Sequence, residues 1–211
     1  MKSIMRALHR GIYRERLRRL VDLLVGIVRP GDRMLDVGCG NGTLLHALTS
    51  DSRCPRGVVP MGVERVARGG EPIPVVAYSG GRLPFDDASF DVVTIADVLH
   101  HEPDDEALLR ECLRVARRVV VVKDHAREGP LARWRISLMD WAANAPYGVP
   151  CLYRYHSLPE WRALCARVNA PIADLISPMR LYPPGWELLF GGRLQIVAVL
   201  DAAAARAGRT G

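Results

Sequence analysis

A chain of 211 residues, 49% of them apolar, has room for one large domain with a buried core. This apolar share, together with a charged share of 25%, argues against disorder, and no apolar run reaches the roughly 20 residues of a membrane-spanning helix. The net charge of +6 comes almost wholly from arginine, because Lys2 and Lys123 are the only lysines.

The first part of the chain alternates helices and strands. Residues 20–28 have the apolar spacing of a helix that ends at Pro30-Gly31, and we expect N-terminal helices within residues 1–30. A strand over 33–37 enters a glycine-rich turn, and the next helix begins at about Thr43. Apolar runs bounded by glycine, proline or acidic residues predict four further strands, at 58–64, 73–78, 90–96 and 118–122.

A helix is predicted between the last two of these strands. It begins near Pro103, whose fixed φ suits a first helical turn, and acidic residues follow that favour the positive end of the helix dipole. Beyond the fifth strand, the aromatic-rich segment 126–156 breaks the alternation, and we interpret it as a cap inserted over the site. A helix starting at Gly129-Pro130 would place four apolar residues on one face: Leu131, Trp134, Leu138 and Trp141.

The C-terminal part predicts the closing elements of a sheet. A helix over 158–168 precedes strands at 179–182 and 194–200, which we expect to form an antiparallel hairpin before a frayed tail at 202–211. The whole pattern is typical of a doubly wound α/β fold in a single domain, residues 1–211. We expect a mostly parallel, seven-stranded sheet with helices on both faces.

Two features of the sequence bear on location and partners. Five cysteines lack the spacing of a zinc or redox site, and their odd number favours reduced thiols in the cytoplasm. Basic residues are concentrated between residues 2 and 19, where a solvated helix face is a simpler interpretation than contact with nucleic acid or anionic lipid.

The most specific motif is the glycine-rich turn at residues 35–42, Leu-Asp-Val-Gly-Cys-Gly-Asn-Gly. Glycines between a strand and a helix let the backbone turn tightly and let a ligand approach the main chain, which indicates a nucleotide site. A dinucleotide fingerprint has a third glycine where Thr43 stands. Asp36 would repel a diphosphate but attract a ligand that carries an ammonium and a sulfonium, as S-adenosylmethionine does.

With this motif the chain resembles the class I S-adenosylmethionine-dependent methyltransferases, in particular the group of ubiquinone and menaquinone biosynthesis enzymes. The resemblance covers residues 21–123 well and the remainder only in outline. Four further pieces match in the same order: Gly62-Val63-Glu64, Leu83-Pro84-Phe85, residues 89–93 (Ser-Phe-Asp-Val-Val) and residues 98–101 (Val-Leu-His-His). The resemblance to this class implies a Rossmann-like methyltransferase fold with S-adenosylmethionine as the cofactor.

The resemblance also implies roles for individual positions around the cofactor. Asp36 would steer the amino group of the methionine part, and Glu64 would accept both ribose hydroxyls. Residues expected to contact the remaining parts of the cofactor are Gly38, Gly40 and Gly42 beneath the methionine part, Ser79, Gly80, Gly81, Arg82 and Leu83 against adenine, and Ala96 and Asp97 near the methyl-bearing sulfur.

Two positions depart from the family pattern. The family usually has an aspartate where Ser79 stands, so the hydrogen bond to the adenine amino group is weaker here. The turn before the fifth strand usually contains Pro-Gly-Gly, whereas residues 116–118 read Ala-Arg-Arg, so the helix must connect to the strand more tightly or differently.

Methyl transfer from a sulfonium is an in-line displacement that mainly requires the acceptor to be held behind the methyl carbon. A general base helps if the acceptor is a hydroxyl, an amine or an acidic carbon, and His101 and His125 are the expected bases because each follows a strand that ends at the cofactor. The sequence predicts no metal site, since adjacent ligands on one turn, such as His100 and His101, would diverge.

The acceptor is expected to be a small molecule, apolar or aromatic, and the chain a monomer or a homodimer. Residues of the cap, of two strand ends and of the N-terminal helix form the predicted substrate pocket: Tyr13, His100, Asp124, Trp134, Trp141, Tyr147, Tyr153, Tyr155 and His156.

Three alternatives stay open at this point. An RNA or other nucleic-acid methyltransferase is suggested by the basic N-terminus and the arginine excess, but the sequence after strand four lacks the Asp/Asn-Pro-Pro-aromatic run that holds a flipped base. A non-catalytic S-adenosylmethionine-binding module would keep the glycine turn without an acceptor pocket. An NAD-dependent oxidoreductase is disfavoured by Asp36 and Thr43.

Overall fold

A computed structural model describes residues 2–66, 69–144, 151–182 and 184–208. It contains seven helices and seven strands in these residues, in addition to a short 3-10 helix at Leu99–His101. The helices are α1 Lys2–Val25, α2 Thr43–Thr49, α3 Asp105–Val115, α4 Ala132–Asn144, α5 Leu158–Arg167, α6 Pro184–Phe190 and α7 Ala202–Ala207. The strands are β1 Arg33–Val37, β2 Val59–Glu64, β3 Val75–Ala77, β4 Phe90–Ala96, β5 Ala116–His125, β6 Ile172–Ile176 and β7 Gln195–Asp201.

The strands form one sheet in the order β3-β2-β1-β4-β5-β7-β6. The first five strands of the chain pair in parallel, and β7 lies antiparallel to both β5 and β6. The predicted doubly wound, mostly parallel, seven-stranded sheet is therefore confirmed. Because the strand order reverses between β1 and β4, the carboxyl ends of these two strands border a crevice, which is where open α/β sheets bind ligands.

Both faces of the sheet are covered by apolar helices, as predicted. On one face, α3, α5 and α7 bury residues that include Leu109, Leu164 and Ala205. On the other face, α1 and α2 bury Leu24 and Leu45 among others. This burial explains why β4 and β5 read as continuous apolar runs, because their side chains meet a helix layer on either side.

The sequence located the strands at the centre of the sheet well. Strands β1 and β4 have the predicted bounds, whereas β5 extends beyond its predicted range at both ends and β3 is shorter than predicted. Helix α3 ends at Val115 and β5 begins at Ala116, so the helix runs into the strand without a loop. This direct junction is the tighter connection that the missing Pro-Gly-Gly turn indicated.

The predicted hairpin strand at 179–182 is wrong. Its place beside β7 is taken by β6, Ile172–Ile176, and residues 177–194 contain α6. Met179 and Leu181 are buried, which explains their apolar pattern, but only Met179 forms a single bridge, to Gly192. Strand β6 carries Asp174 and only partly buried apolar residues at the sheet edge, so its sequence signal was weak.

The C-terminal tail is more ordered than predicted. Residues 202–207 form α7, whose first turn is capped by the Asp201 carboxylate, which accepts a hydrogen bond from the Ala204 amide. Instead of the several N-terminal helices that we expected, the structure has the single helix α1 in this region. None of the helices that the structure describes combines the length and apolar character needed to span a bilayer.

Candidate functional site

The glycine turn after β1 is shaped by close neighbours. Gly38 has a φ of 70°, and a Cβ there would lie 2.4 Å from the Val98 side chain. Gly42 has a φ of 76°, and a Cβ there would lie 2.7 Å from Ile73. A Cβ on Gly40, by contrast, would meet no described atom within 4 Å, so this residue borders open space. Two of the three glycines are therefore required by packing, and the third leaves the backbone accessible to a ligand.

Asp36 is buried at the sheet centre, with 3% of its surface exposed. The Thr94 hydroxyl on β4 donates a hydrogen bond to the Asp36 carboxylate at 2.7 Å. Burial raises the pKa of Asp36 to about 7, although Thr94 and the positive charge of Arg16 oppose this shift. Asp36 therefore does not point into solvent, and its charge changes near neutral pH.

Glu64 at the end of β2 holds the glycine turn. One of its carboxylate oxygens accepts a hydrogen bond from the Gly40 amide at 2.7 Å, and the other accepts one from the Arg65 amide at 2.7 Å. Each carboxylate oxygen has a second lone pair, so these bonds leave acceptor capacity at the side of the turn that Gly40 opens.

In the turn predicted to contact adenine, residues 79–83, only some of the residues are accessible to a ligand. Ser79, Gly80 and Gly81 are exposed, and the Tyr78 hydroxyl donates a hydrogen bond to the Gly81 carbonyl at 2.5 Å. Leu83 lies in the core, and its amide donates to a Glu111 carboxylate oxygen at 2.8 Å. Contrary to the expectation from the sequence, the Leu83 amide is not available to adenine.

Asp97, directly after β4, joins three parts of the chain. Its carboxylate forms ion pairs with Arg16 of α1 and with Lys123 of β5, and Lys123 is almost fully buried. Burial opposes ionisation of Asp97, but Lys123 and Arg16 outweigh it and hold its pKa well below the usual range. The Asp97 backbone has a φ of 57°, which is unusual for a residue with a side chain and is found where the surroundings fix a strained conformation.

A second polar cluster lies beside Asp97 and centres on His100. Its Nδ1 is 2.6 Å from Asp124 Oδ1, and its Nε2 is 3.7 Å from Asp140 Oδ1. Burial lowers the pKa of His100, but the Asp124 carboxylate outweighs this effect and raises the pKa to about 10. His101 Nε2 is 3.5 Å from the same Asp140 oxygen, and the Tyr155 hydroxyl donates to Asp140 Oδ2 at 2.6 Å.

His125, at the end of β5, is buried next to this cluster. Its ring lies 4.9 Å from that of His100, and its Nε2 is 3.9 Å from Asp97 Oδ1. Burial, together with the positive charge of Lys123, lowers the pKa of His125 to about 3, so the imidazole is neutral. Among the described residues, neither His125 Nδ1 nor Asp124 Oδ2 has a hydrogen-bond partner.

The structure thus brings together one part of the predicted substrate pocket. His100, Asp124 and Tyr155 lie with the two expected bases, His101 and His125. The rings of His100 and His101 are 4.1 Å apart, and both approach Asp140, so the expectation that these neighbours diverge is wrong.

Other predicted pocket residues lie elsewhere. Trp134 and Trp141 on α4 are 64% and 55% exposed, and Leu131 and Leu138 of the same stripe are exposed as well. Trp134 borders a surface cavity of about 930 Å³ that no residue of the glycine turn lines. Three of the remaining residues lie apart from His100, His101 and His125. His156 pairs with Asp105 and packs on Trp161, whereas Tyr153 and Tyr13 are exposed, the latter beside Arg16. Tyr147 lies outside the described residues.

Several residues of the site were not recognised from the sequence. Lys123 carried a signal, because it is one of only two lysines in the chain and directly follows the apolar run 119–122. Asp140 is the only acidic residue of α4, but nothing in its neighbourhood marks it as buried. Arg16 was one of many arginines in a basic segment, and Thr94 reads as an ordinary strand residue.

Comparison with known proteins identifies the class. A family model described as a methyltransferase domain matches residues 35–120. The demethylmenaquinone methyltransferase of Mycolicibacterium gilvum is 30% identical over 155 residues, which cover 67% of this chain and 68% of that protein. The 27-O-demethylrifamycin SV methyltransferase of Amycolatopsis mediterranei is 36% identical over 111 residues, 47% of this chain and 40% of that protein.

Solved structures share the fold. Geranyl diphosphate methyltransferase in complex with its cofactor superposes with a TM-score of 0.66 at 18% identity, covering 88% of this chain and 84% of that one. A possible histamine N-methyltransferase from Thermotoga maritima gives a TM-score of 0.65 at 19% identity, covering 93% and 91% of the two chains.

The chain belongs to the class I S-adenosylmethionine-dependent methyltransferases. Within this class it falls in the group related to ubiquinone and menaquinone biosynthesis methyltransferases, and S-adenosylmethionine is its cofactor. The matched regions span only 40% to 64% of the length of the first five relatives.

Proposed function

We propose that this protein transfers the methyl group of S-adenosylmethionine to a small-molecule acceptor. The observation that carries the proposal is the pairing of two carboxylates with an open glycine turn at the point where the strand order reverses. Asp36 is buried beside the turn, Glu64 binds it directly, and Gly40 leaves it accessible. Such an arrangement suits a ligand with a positive charge and a ribose better than a diphosphate.

Individual cofactor contacts follow from this placement. Asp36 would attract the ammonium of the methionine part, and Glu64 would accept hydrogen bonds from the ribose through its remaining lone pairs. The exposed turn residues Ser79 and Gly80 would lie against adenine, together with Gly81 and Arg82. Ala96 and Asp97 would line the floor below the sulfur, because they end the strand on the other side of the crevice.

The acceptor would bind over the histidine cluster, between the ends of β4 and β5. Methyl transfer requires chiefly that the acceptor atom is held in line with the carbon–sulfur bond. Of the two expected bases, His101 is the better candidate to accept its proton, because a pKa of about 3 makes His125 a weak base. The rings of Tyr155 and His125, 5.9 Å apart and perpendicular, would favour an apolar or aromatic acceptor.

Two other functions are less well supported. The relatives named above are methyltransferases of a menaquinone precursor and of a rifamycin, which favours a small molecule over RNA as acceptor. A module that only binds the cofactor would not need a buried cluster of ionisable groups beside it. The five cysteines form no disulfide, which agrees with the cytoplasmic location that we propose. We propose a monomer or a homodimer as the oligomeric state.

Calorimetry of the full chain with S-adenosylmethionine, and in parallel with NAD, tests the cofactor. We expect saturable binding of S-adenosylmethionine alone; binding of NAD alone would overturn the proposal. Methyl-labelled cofactor is then incubated with hydroxylated aromatic compounds, reduced naphthoquinones and, as the contrasting substrate, unmodified RNA. Mass analysis should find the label on a small molecule, and label on RNA only would refute the acceptor class.

A further inference from the structure

Helix α4, with the residue that precedes it, presents an apolar face to solvent. Four apolar residues recur there every three or four positions and are 39% to 74% exposed: Leu131, Trp134, Leu138 and Trp141. The side of α4 that faces the protein carries Ile136 and Asp140, both of which are buried. A surface helix normally turns its apolar stripe toward the core, so α4 has the reverse arrangement.

The end of α6 lies beside α4 and adds to this face. The Arg135 guanidinium of α4 donates hydrogen bonds to the carbonyl oxygens of Leu188 and Leu189, at 2.8 and 2.7 Å. Both leucines are themselves exposed. These two leucines and the four exposed residues of the α4 stripe form what we call the α4–α6 surface. Exposed apolar patches of this kind mark places where a protein meets another protein or a membrane.

Positive charge exceeds negative charge beside the α4–α6 surface. Residues 127–154 contain four arginines and two acidic residues. Arg127 pairs with Glu160, whereas Arg133 and Arg135 form no ion pair within the part of the chain that the structure describes. Arg133 is exposed and borders the same surface cavity as Trp134. Its charge is therefore available to an anionic partner.

The acidic residues of the same region are engaged by the protein itself. Asp140 is buried against Tyr155, and Glu128 accepts a hydrogen bond from the first backbone amide of α5 at 2.8 Å. Glu187 of α6 accepts hydrogen bonds from the amides of Tyr182 and Gly192, at 3.0 and 2.6 Å. The charge that this region presents to a partner is thus chiefly that of its arginines.

We propose that the α4–α6 surface docks on an anionic lipid bilayer, with Trp134 and Trp141 at the level of the headgroups and Arg133 close to the lipid phosphates. Tryptophan and leucine on one face, with arginine beside them, are typical of helices that lie in the membrane interface without crossing it. A second copy of the chain fits less well, because each copy carries a net charge of +6 and the arginines of both would meet. The inference concerns the outer face of α4 and is independent of the proposed methyl transfer.

The test uses the full chain with vesicles of phosphatidylcholine, either alone or with about 30% phosphatidylglycerol as the anionic lipid. Cosedimentation measures the partition coefficient. Tryptophan fluorescence reports insertion, because Trp134 and Trp141 are the two most exposed of the four tryptophans. We expect binding to the anionic vesicles with a blue shift of the fluorescence, at least about fivefold weaker binding to phosphatidylcholine alone, and weakening by salt.

Variants separate the apolar and the charged contribution. Trp134→Ala combined with Trp141→Ala should lower the partition coefficient at least about tenfold and abolish the blue shift. Val59→Ala, which shortens an exposed apolar residue of β2, is the control and should bind normally. Arg133→Gln should weaken binding to anionic vesicles about fivefold. Arg56→Gln removes the same charge from an exposed residue before β2 and should have no effect. Thermal unfolding shows independently of cofactor binding that each variant is folded.

Four outcomes overturn the proposal. The first is binding to anionic vesicles no stronger than to phosphatidylcholine. The second is unchanged binding in the combined tryptophan variant, which would assign the contact to the basic segment 2–19. The third is an equal loss in Arg133→Gln and Arg56→Gln, which would reduce the effect to net charge. The fourth is a dimer in solution that the tryptophan substitutions dissociate, without vesicle binding, because a second copy would then cover the surface.

Discussion

The two edges of the crevice are encoded in different ways. On the β1–β2 side, the groups that we propose to bind the cofactor lie in short stretches of sequence: the glycine turn follows β1 directly, and Glu64 ends the next strand. On the β4–β5 side, the groups that we propose to surround the acceptor come from elements that are far apart in the chain, with Asp97 contacting Arg16 of α1 and His100 approaching Asp140 of α4. A short motif can reveal the first side, whereas only the assembled fold reveals the second.

This contrast predicts that the two sides can be damaged separately. Asp36→Ala should weaken S-adenosylmethionine binding about 100-fold or more, because a buried charge partner of the cofactor is lost. His125→Ala should leave that affinity unchanged and reduce only methyl transfer. Calorimetry of both variants measures the affinities, and loss of binding in both would refute the separation.

Within the glycine turn, packing and ligand access should also separate. Gly38→Ala should lower the free energy of unfolding by about 2–3 kcal/mol, since the methyl group meets Val98 in addition to the strain of a positive φ. Gly40→Ala should cost only about 1–2 kcal/mol, because its space is open, but should still weaken cofactor binding. Urea unfolding compares the two variants, and equal losses would contradict the steric explanation.

The raised pKa of Asp36 predicts a pH dependence on the cofactor side. With a pKa of about 7, the carboxyl group is mostly neutral at low pH and becomes charged as the pH rises. Affinity for S-adenosylmethionine should therefore increase by up to about tenfold between roughly pH 6 and 8. Calorimetry across this range tests the trend. Asp36→Asn, which removes the titrating group, is the control and should bind weakly with no such increase; the same slope in this variant would assign the titration elsewhere.

The smallest effects are expected on the outer face of the cap. Trp134→Ala and Trp141→Ala should each change the free energy of unfolding by less than about 0.5 kcal/mol, because both side chains are largely exposed. Tyr155→Phe, which removes the hydrogen bond to Asp140, should cost about 1–2 kcal/mol. The midpoints of thermal unfolding compare the two tryptophan variants with Tyr155→Phe. A large loss in either tryptophan variant would show that the cap packs differently in solution.

The fold was largely predictable because its central strands are buried on both sides. The apolar runs of β1 and β4 have one stable place, between two helix layers, whereas β6 lies at the edge, carries Asp174 and was not recognised. Two residues of the apolar face of α4, Trp134 and Trp141, were assigned to the substrate pocket, yet both are largely exposed and Ile136 and Asp140 occupy the buried side. Periodicity identifies a stripe, but it does not say whether the remaining chain covers it.

The same reasoning limits prediction of the site. Asp36 and Glu64 were found because they stand at fixed distances from glycines. Lys123 and Asp140 have meaning only through partners that are distant along the chain, Asp97 and His100. A single sequence contains no record of those pairings.

The contact between Arg16 and Asp97 makes the first helix a structural part of the β4–β5 side of the crevice. If the chain were shortened to begin after Arg16, one of the two cations that neutralise Asp97 would be lost, and a carboxylate on a strained backbone would depend on Lys123 alone. Recombinant forms intended for activity assays therefore need an intact first helix, and an affinity tag is better attached at the opposite terminus.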